Sequence, residues 1–307
     1  MNDANDKHLT EIGRELLRQM APDCELLSIA PLPGSYSNET HLLTARAPAG
    51  DALRLAVRRY AVFGDYDRGE KARREFKTLE LLHGQGIPVP TPFFLDDAGV
   101  VLGTPGIVTR YVPGELVLSP ADPIDWAEKL ARMLARIHAV PVGGAARSFL
   151  LDADAEASWF LRPEAPPAFM RAHPDGEAVW GTARALWSRA RRESPGLVHV
   201  DYWSGNVLWD GGEIAAVVDW EEAAWGDAGI DVAYARMEMF LLGLDAAADV
   251  FLRVYEAERG RRVANLVLWE LAAAARPMFS PEGWVSEMPA SRRFHQFIER
   301  SRALAAV

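Results

Sequence analysis

Residues 197–234, LVHVDYWSGNVLWDGGEIAAVVDWEEAAWGDAGIDVAY, constrain the fold of this chain more than any other stretch. They read as strand, polar loop, hairpin, acidic turn and helix. Val207, Leu208 and Trp209 form a short apolar strand, and residues 214–218 its return strand. Between them stand Asp210, Gly211 and Gly212, residue types that tolerate the positive φ of a tight hairpin turn. A hairpin brings the loop before it and the loop after it to the same end. Asn206 and Asp219, thirteen positions apart, are therefore predicted neighbours, and Asp201 lies five residues before Asn206 on the same loop. Three oxygen-bearing side chains gathered in this way suit a hard, oxygen-seeking cation such as Mg2+.

Composition narrows the partners. A length of 307 residues allows two lobes with cores of their own, and 49% hydrophobic with 25% charged residues is ordinary for a globular protein. The sequence has no apolar run near the roughly 18 residues of a membrane span. The polar start MNDANDKHLTEIGRELL lacks the apolar core of a signal peptide, so the cytoplasm is the expected compartment. The single cysteine, Cys24, excludes an intramolecular disulfide and a cysteine-rich metal site. A net charge of −10 argues against a broad surface for a nucleic acid polymer. Composition leaves the oligomeric state open.

The N-terminal third reads as α+β. Leu9, Ile12, Leu16 and Met20 recur at helical spacing. Residues 26–32 and 41–45 are strand-like and flank a small polar loop containing Gly34, Ser35, Ser37 and Asn38, which is either a surface turn or a phosphate-binding loop. It is not a Walker A loop, because no G-K-[ST] follows. In LRLAVRRY (53–60), Leu53, Leu55 and Val57 alternate with Arg54, Ala56, Arg58 and Tyr60. Residues 67–83 form a helix with Ala72, Phe76, Leu79 and Leu82 on its apolar stripe and Glu75 at the border, either turned inward or exposed beside Arg74. Residues 100–102 and 107–112 are predicted to pair as strands across Gly103–Gly106, and Pro113-Gly114 closes the region.

The remainder is predicted to be mainly helical. A stripe runs through Trp126, Leu130, Met133, Leu134 and Ile137, with His138 closing that helix. Residues 141–175 read as an irregular insertion holding one short helix. Another helix begins at Val179. Asp245 reads as the N-cap of a helix ending at Gly260, followed by helices over 263–275 and 291–304.

The ordered set H-V-D-Y-W-S-G-N, V-V-D-W-E and G-D-A-G-I-D-V-A resembles the aminoglycoside phosphotransferase and choline-kinase-like family. That family consists of ATP-dependent small-molecule kinases with a protein-kinase-like, two-lobed α+β fold. The resemblance implies a small N-terminal lobe (1–113) with an antiparallel sheet and one helix, and a larger, mainly helical lobe (114–307). It implies that Asp201 handles the acceptor hydroxyl and that Asn206 and Asp219 hold Mg2+. Leu55-Ala56-Val57-Arg58 is similar to the V-A-I-K strand of kinases. Ala56 then lies over adenine and Arg58 stands in the lysine's place at the phosphates, with Arg59 as the one-residue register alternative. Glu75 would pair with Arg58, the loop of Gly34, Ser35, Ser37 and Asn38 would cover the phosphates, and Arg110, Tyr111 and Val112 would offer backbone to adenine. His199 and Asp231 take scaffold roles, and Val200 replaces a residue that is often glycine. The last helices would wall the acceptor pocket, where Trp269, Glu270, Arg276 and Trp284 are candidates that no motif selects.

The expected activity is transfer of the γ-phosphoryl group of ATP to a hydroxyl of a small molecule. Arginine at position 58 keeps open the alternative of an inactive nucleotide-binding relative, and a metal-dependent hydrolase using the same carboxylates is a further rival. A protein kinase is disfavoured by the lack of D-F-G and A-P-E and by the short span between Asp219 and the next helix. The sequence leaves the acceptor open among aminoglycosides, macrolides, homoserine, choline-like amino alcohols and sugars.

Overall fold

The computed structural model describes residues 3–32, 38–62, 67–191, 194–282, 284–285 and 289–305. The chain divides into two compact units: Met1–Gly114 with Ala215–Glu221, and Glu115–Ile214 with Glu222–Val307.

In the first unit, α1 (Asp3–Met20) precedes β1 (Glu25–Pro31), β2 (Glu39–Arg46) and β3 (Ala52–Arg59). Then come α2 (Arg68–Gly84), β4 (Pro92–Asp96) and β5 (Gly106–Arg110). The strands form an antiparallel sheet in the order β1-β2-β3-β5-β4. Ile12, Leu16 and Leu17 of α1 join Leu43, Leu55, Val57 and Val108 of the sheet in one core. Each such side chain contributes about 1.5–3 kcal/mol by leaving water. The period of two along β3 fixes the rest: with Leu55 and Val57 in that core, Ala56 and Arg58 must face the other way. The Asp67 carboxylate caps α2 by accepting the N–H groups of Gly69 and Glu70.

One expectation fails here. Residues 100–102 are not a strand, and the partner of β5 is β4. The cause is Asp96, whose carboxylate accepts the N–H groups of Val100, Val101 and Leu102 at 2.9, 2.7 and 2.7 Å. Those donors are committed to a side chain and cannot serve a ladder.

The second unit begins with β6 (Glu115–Leu116) and α3 (Pro123–Ile137). Asp122 caps α3, and Pro123 occupies its first turn, where a missing N–H costs nothing. Residues 141–175 hold more structure than expected: α4 (Gly144–Arg147), β7 (Leu151–Asp152), α5 (Ala153–Ala157), a 3-10 turn at Trp159–Leu161, and α6 (Ala168–Ala172). These pieces are too short to show a hydrophobic period. After α7 (Gly176–Trp187) come β8 (Gly196–Val198), β9 (Val207–Asp210), β10 (Glu213–Val217) and β11 (Ala224–Gly226). They make two small sheets, β10-β9-β6 and β7-β11-β8. Gly211 and Gly212, at φ 56° and 83°, form the turn of the β9–β10 hairpin. Residues 215–221, at the end of that hairpin, count with the first unit, where the Val217 N–H donates to the Pro88 carbonyl at 2.8 Å.

Four longer helices complete the second unit: α8 (Gly229–Leu241), α9 (Asp245–Arg259), α10 (Leu266–Phe279) and α11 (Ala290–Ala305). Every residue of α8 is buried, and α9, α10 and α11 pack around it. Leu244, not Asp245, is the N-cap of α9, and Asp245 is its first helical residue, where its charge complements the dipole. The α10 helix runs through Pro277 to Phe279, beyond its predicted end at 275.

Candidate active site

The loop between β8 and β9 is the most constrained backbone of the second unit. Val200 has φ 72°, and with Asp219 (φ 68°) it is one of two non-glycine residues with positive φ among the described residues. For a β-branched residue that conformation costs about 1–2 kcal/mol and must be held by its surroundings. The holder is Asp231, at the start of α8. Its two carboxylate oxygens accept the N–H groups of His199 and Val200, each at 2.7 Å. Asp231 is fully buried and also meets Nε2 of His138 at 3.0 Å, and Nδ1 of His138 meets the Tyr255 hydroxyl at 2.7 Å. His138 thus packs inside the scaffold. His199 is buried as well and lies edge-on to Tyr202.

This loop presents Asp201. Nδ2 of Asn206 donates to Oδ2 of Asp201 at 2.8 Å and to its backbone carbonyl at 2.8 Å. The amide nitrogen is therefore spent inside the loop. Asn206 is placed by a 3-10 turn, Ser204–Asn206, on which the Trp203 ring lies so closely that a Cβ at Gly205 would fall 2.2 Å from it. The other oxygen of Asp201, Oδ1, accepts from Nη1 of Arg276 at 2.9 Å. Asp201 keeps 29% of its side chain exposed, enough for a hydroxyl to reach it.

Around Asp201 lie Tyr234 and Glu238, one turn apart on α8. Burial first, then the charge of Asp201, push the Glu238 carboxyl up to about 8, against the pull of Arg276 and the Tyr234 hydroxyl. Burial, Asp201 and Glu238 hold the Tyr234 hydroxyl well above its ordinary range. A narrow cleft beside them is lined by Trp159, Val200, Ile230, Tyr234, Ala272 and Arg276. Trp159 stacks on Phe169 at 5.1 Å, and Phe279, 60% exposed, stands edge-on to both. A larger cavity of about 670 Å3, lined by Asp152, Asp154, Trp187, Asp227 and Trp269 among others, includes neither Asp201 nor Asn206.

The first unit carries a separate charge network. Arg58 bridges three carboxylates: Glu75 at 3.4 Å, Asp219 at 2.6 Å and Glu221 at 3.0 Å. Burial disfavours its charge, but the fields of Asp219, Glu75, Tyr60 and Glu221 outweigh that and hold the guanidinium above its ordinary pKa. Glu75 faces inward and also accepts from the Tyr60 hydroxyl. Burial drives its carboxyl up to about 7 despite Arg58, with Asp219 and Glu221 adding to the rise. Arg59 faces away and pairs with Glu39 at 2.8 Å. Lys71 and Arg74 share the inward face of α2 with Glu75. Lys71 meets the Glu221 carboxylate at 3.2 Å and Arg74 its backbone carbonyl at 2.6 Å.

The other predicted positions are distributed as follows. Asn38 donates to Glu221 at 2.8 Å, while Gly34, Ser35 and Ser37 lie outside the described residues. Ala56 sits mid-sheet between Leu42 and Thr109. The N–H groups of Arg110 and Tyr111 donate to the carbonyls of Thr91 and Arg54, which leaves Val112 as the one of the three whose N–H has no backbone acceptor among the described residues. Of the candidate pocket residues, Glu270 is spent in a buried ion pair with Arg236 at 2.9 Å, and Trp269 donates to Asp227. Only Arg276 reaches Asp201. Glu221, Lys71 and Arg74 were not anticipated, although the i, i+3, i+4 spacing of 71, 74 and 75 was a usable signal.

The first unit is thus an antiparallel sheet with α2 packed against β4 and β5, and the second is mainly helical and carries a clamped Asp-x4-Asn loop. The sequence profile of the phosphotransferase enzyme family matches residues 28–266, and the chain belongs to that family. Over 183 residues, 55% of this chain, it is 27% identical to acyl-CoA dehydrogenase family member 10 of Mus musculus, but the match spans only 17% of that protein's length. The fold is similar to wild-type aminoglycoside 2'-phosphotransferase-IIIa in its GDP complex, with TM-score 0.61 and 17% identity over 98% of this chain and 99% of that one. It is likewise similar to choline kinase LicA from Streptococcus pneumoniae, with TM-score 0.60 and 19% identity over 96% and 99%. No helix among the described residues is long and apolar enough to cross a membrane.

Proposed function

We propose that this phosphotransferase moves the γ-phosphoryl group of ATP to a hydroxyl of a small-molecule acceptor, with Asp201 as the group that receives the hydroxyl proton. The observation that carries the proposal is the state of Asp201. It is a partly exposed carboxylate fixed on both oxygens, on a loop whose strained backbone is clamped by Asp231. In the reaction the acceptor oxygen bonds to the γ-phosphorus, the bond from phosphorus to the β–γ bridging oxygen breaks, ADP leaves, and the hydroxyl proton passes to Asp201. Such a step depends on positioning and charge neutralisation rather than on a covalent enzyme intermediate.

Asn206 and Asp219 each carry a side-chain oxygen, the hard donor type that Mg2+ takes alongside phosphates and water. Among the described residues no group of three or more His, Cys, Asp or Glu forms a self-contained cage. Mg2+ held by Asn206 and Asp219 would neutralise charge on the transferring phosphates. Arg58 would contact the phosphates, Ala56 and the backbone at Val112 would meet the adenine, and Glu75 would steady Arg58. The GDP complex of the related aminoglycoside phosphotransferase supports a purine nucleotide as the donor. The aromatic wall of Trp159, Tyr234 and Phe279 would receive the unreactive body of the acceptor.

The test is ADP release from Mg-ATP against a panel of small alcohols, amino sugars and macrolides, with Asp201→Ala alongside. Acceptor-dependent ADP that falls at least about 100-fold in the variant, to a measurable residue, is expected. Saturable Mg-ATP binding without turnover on any acceptor would favour an inactive nucleotide-binding protein, and no Mg-ATP binding would end the proposal.

A further inference from the structure

Arg276 lies 75 positions from Asp201 in sequence, in the last turn of α10, and no motif announces it. Its guanidinium nevertheless makes the most specific contact to the loop. Nη1 donates to Oδ1 of Asp201 at 2.9 Å, and Nη2 donates to the Val200 carbonyl at 3.1 Å and meets Glu222 at 3.4 Å. The guanidinium plane is braced by the Tyr234 ring, 4.6 Å away. One rigid fork therefore grips both a side chain and the backbone of the residue before it, which a lysine's single point charge cannot do.

The backbone contact explains the left-handed Val200. Its N–H is held by an anion, Asp231, and its carbonyl by a cation, Arg276, so the peptide units on either side are pinned in opposite senses. The side-chain contact has an equally definite effect. With Oδ1 on Arg276 and Oδ2 on Asn206, the carboxylate of Asp201 cannot rotate about its last bond without breaking a charge-assisted hydrogen bond. Arg276 is the cation that meets both Asp201 and Glu222, and its charge opposes the rise of the Glu238 carboxyl.

We propose that Arg276 is a positioning residue for phosphoryl transfer, which orients the Asp201 carboxylate and maintains the Val200 conformation behind it. The proposal rests on Asp201 as the proton acceptor, and it places the effect of Arg276 in the chemical step, not in nucleotide affinity.

Turnover is measured with the best acceptor of the panel or, where none exceeds background, as ADP release with water as acceptor. Arg276→Ala is expected to lower kcat about 100-fold, the scale of a misplaced reactive group, with the KM for Mg-ATP changed less than about threefold. Arg276→Lys recovers only part of the rate. Methylguanidinium added to Arg276→Ala restores at least about tenfold, the effect of returning one aligned donor. In an Asp201→Ala background the Arg276→Ala change costs no more than about twofold, because the group it positions is gone. A crystal structure of Arg276→Ala shows the Asp201 carboxylate rotated. An unchanged kcat in Arg276→Ala, an equal loss in the Asp201→Ala background, no methylguanidinium rescue, or an unmoved Asp201 in the crystal each overturns the proposal. Wild-type turnover in Asp201→Ala alone would remove the base assignment first, and the positioning role with it.

Discussion

Glu238→Gln isolates the cost of keeping a carboxyl beside Asp201. The folded protein holds Glu238 protonated up to about pH 8, whereas the ordinary value is 4.5. The sign follows from the raised folded value. Below 4.5 the carboxyl is neutral in both states, and its burial carries no ionic penalty. As the pH rises through 4.5 the unfolded chain ionises and the folded chain does not, so stability falls by about 1.4 kcal/mol per pH unit. The decline stops near pH 8, where the folded state ionises too. Over that window Glu238 alone removes on the order of 4 kcal/mol, and glutamine, with a similar shape and no titration, removes none of it. The raised carboxyl of Glu75 gives wild type and variant the same slope, which cancels in the difference. Urea unfolding of both proteins at pH 5, 6, 7 and 8 reads that difference directly. The variant should gain steadily with pH and lead by about 3–4 kcal/mol at pH 8. Parallel stability profiles would refute the account and place the Glu238 carboxyl in a far more hydrated setting.

Three further outcomes follow from local geometry. Glu270→Ala leaves Arg236, 2% exposed, without its main counter-charge. The expected cost is about 3–5 kcal/mol by urea titration, and a loss below about 1 kcal/mol would contradict the buried pair. Arg58→Lys keeps the charge but cannot bridge Glu75, Asp219 and Glu221 together, so the first unit should lose about 1–3 kcal/mol; an unshifted urea midpoint would count against the three-way bridge. Gly205→Ala drives a methyl into the Trp203 ring and displaces Asn206. ADP release should fall about 10- to 100-fold while the melting temperature moves little, and full activity would show that the turn can yield.

The elements that could be read from the sequence are those whose cause is local. Asp67 and Asp122 cap their helices because a carboxylate reaches N–H groups two and three residues on. Gly211 and Gly212 turn the hairpin because both adopt positive φ. Arg58 rather than Arg59 faces the carboxylates because strand alternation is anchored by Leu55 and Val57 in the core. Elsewhere the sequence was silent or misleading. Residues 100–102 have strand-like composition, but Asp96, only four to six positions earlier, takes their N–H groups. Arg276 and Glu270 are equivalent candidates by sequence, yet one faces Asp201 and the other Arg236. Glu221 follows Asp219 by two residues, and only the folded chain shows that it gathers Asn38, Arg58 and Lys71.

The Asp231 carboxylate is an ion whose solvation shell is built of protein. Two amides and an imidazole take the places that water would hold, and unlike water they do not reorient. The amide hydrogens of His199 and Val200 can then meet solvent only when the first turn of α8 comes away with them. Their hydrogen–deuterium exchange is tied to the opening of a helix buried along its whole length. The backbone that carries Asp201 is therefore tied to the core through Asp231.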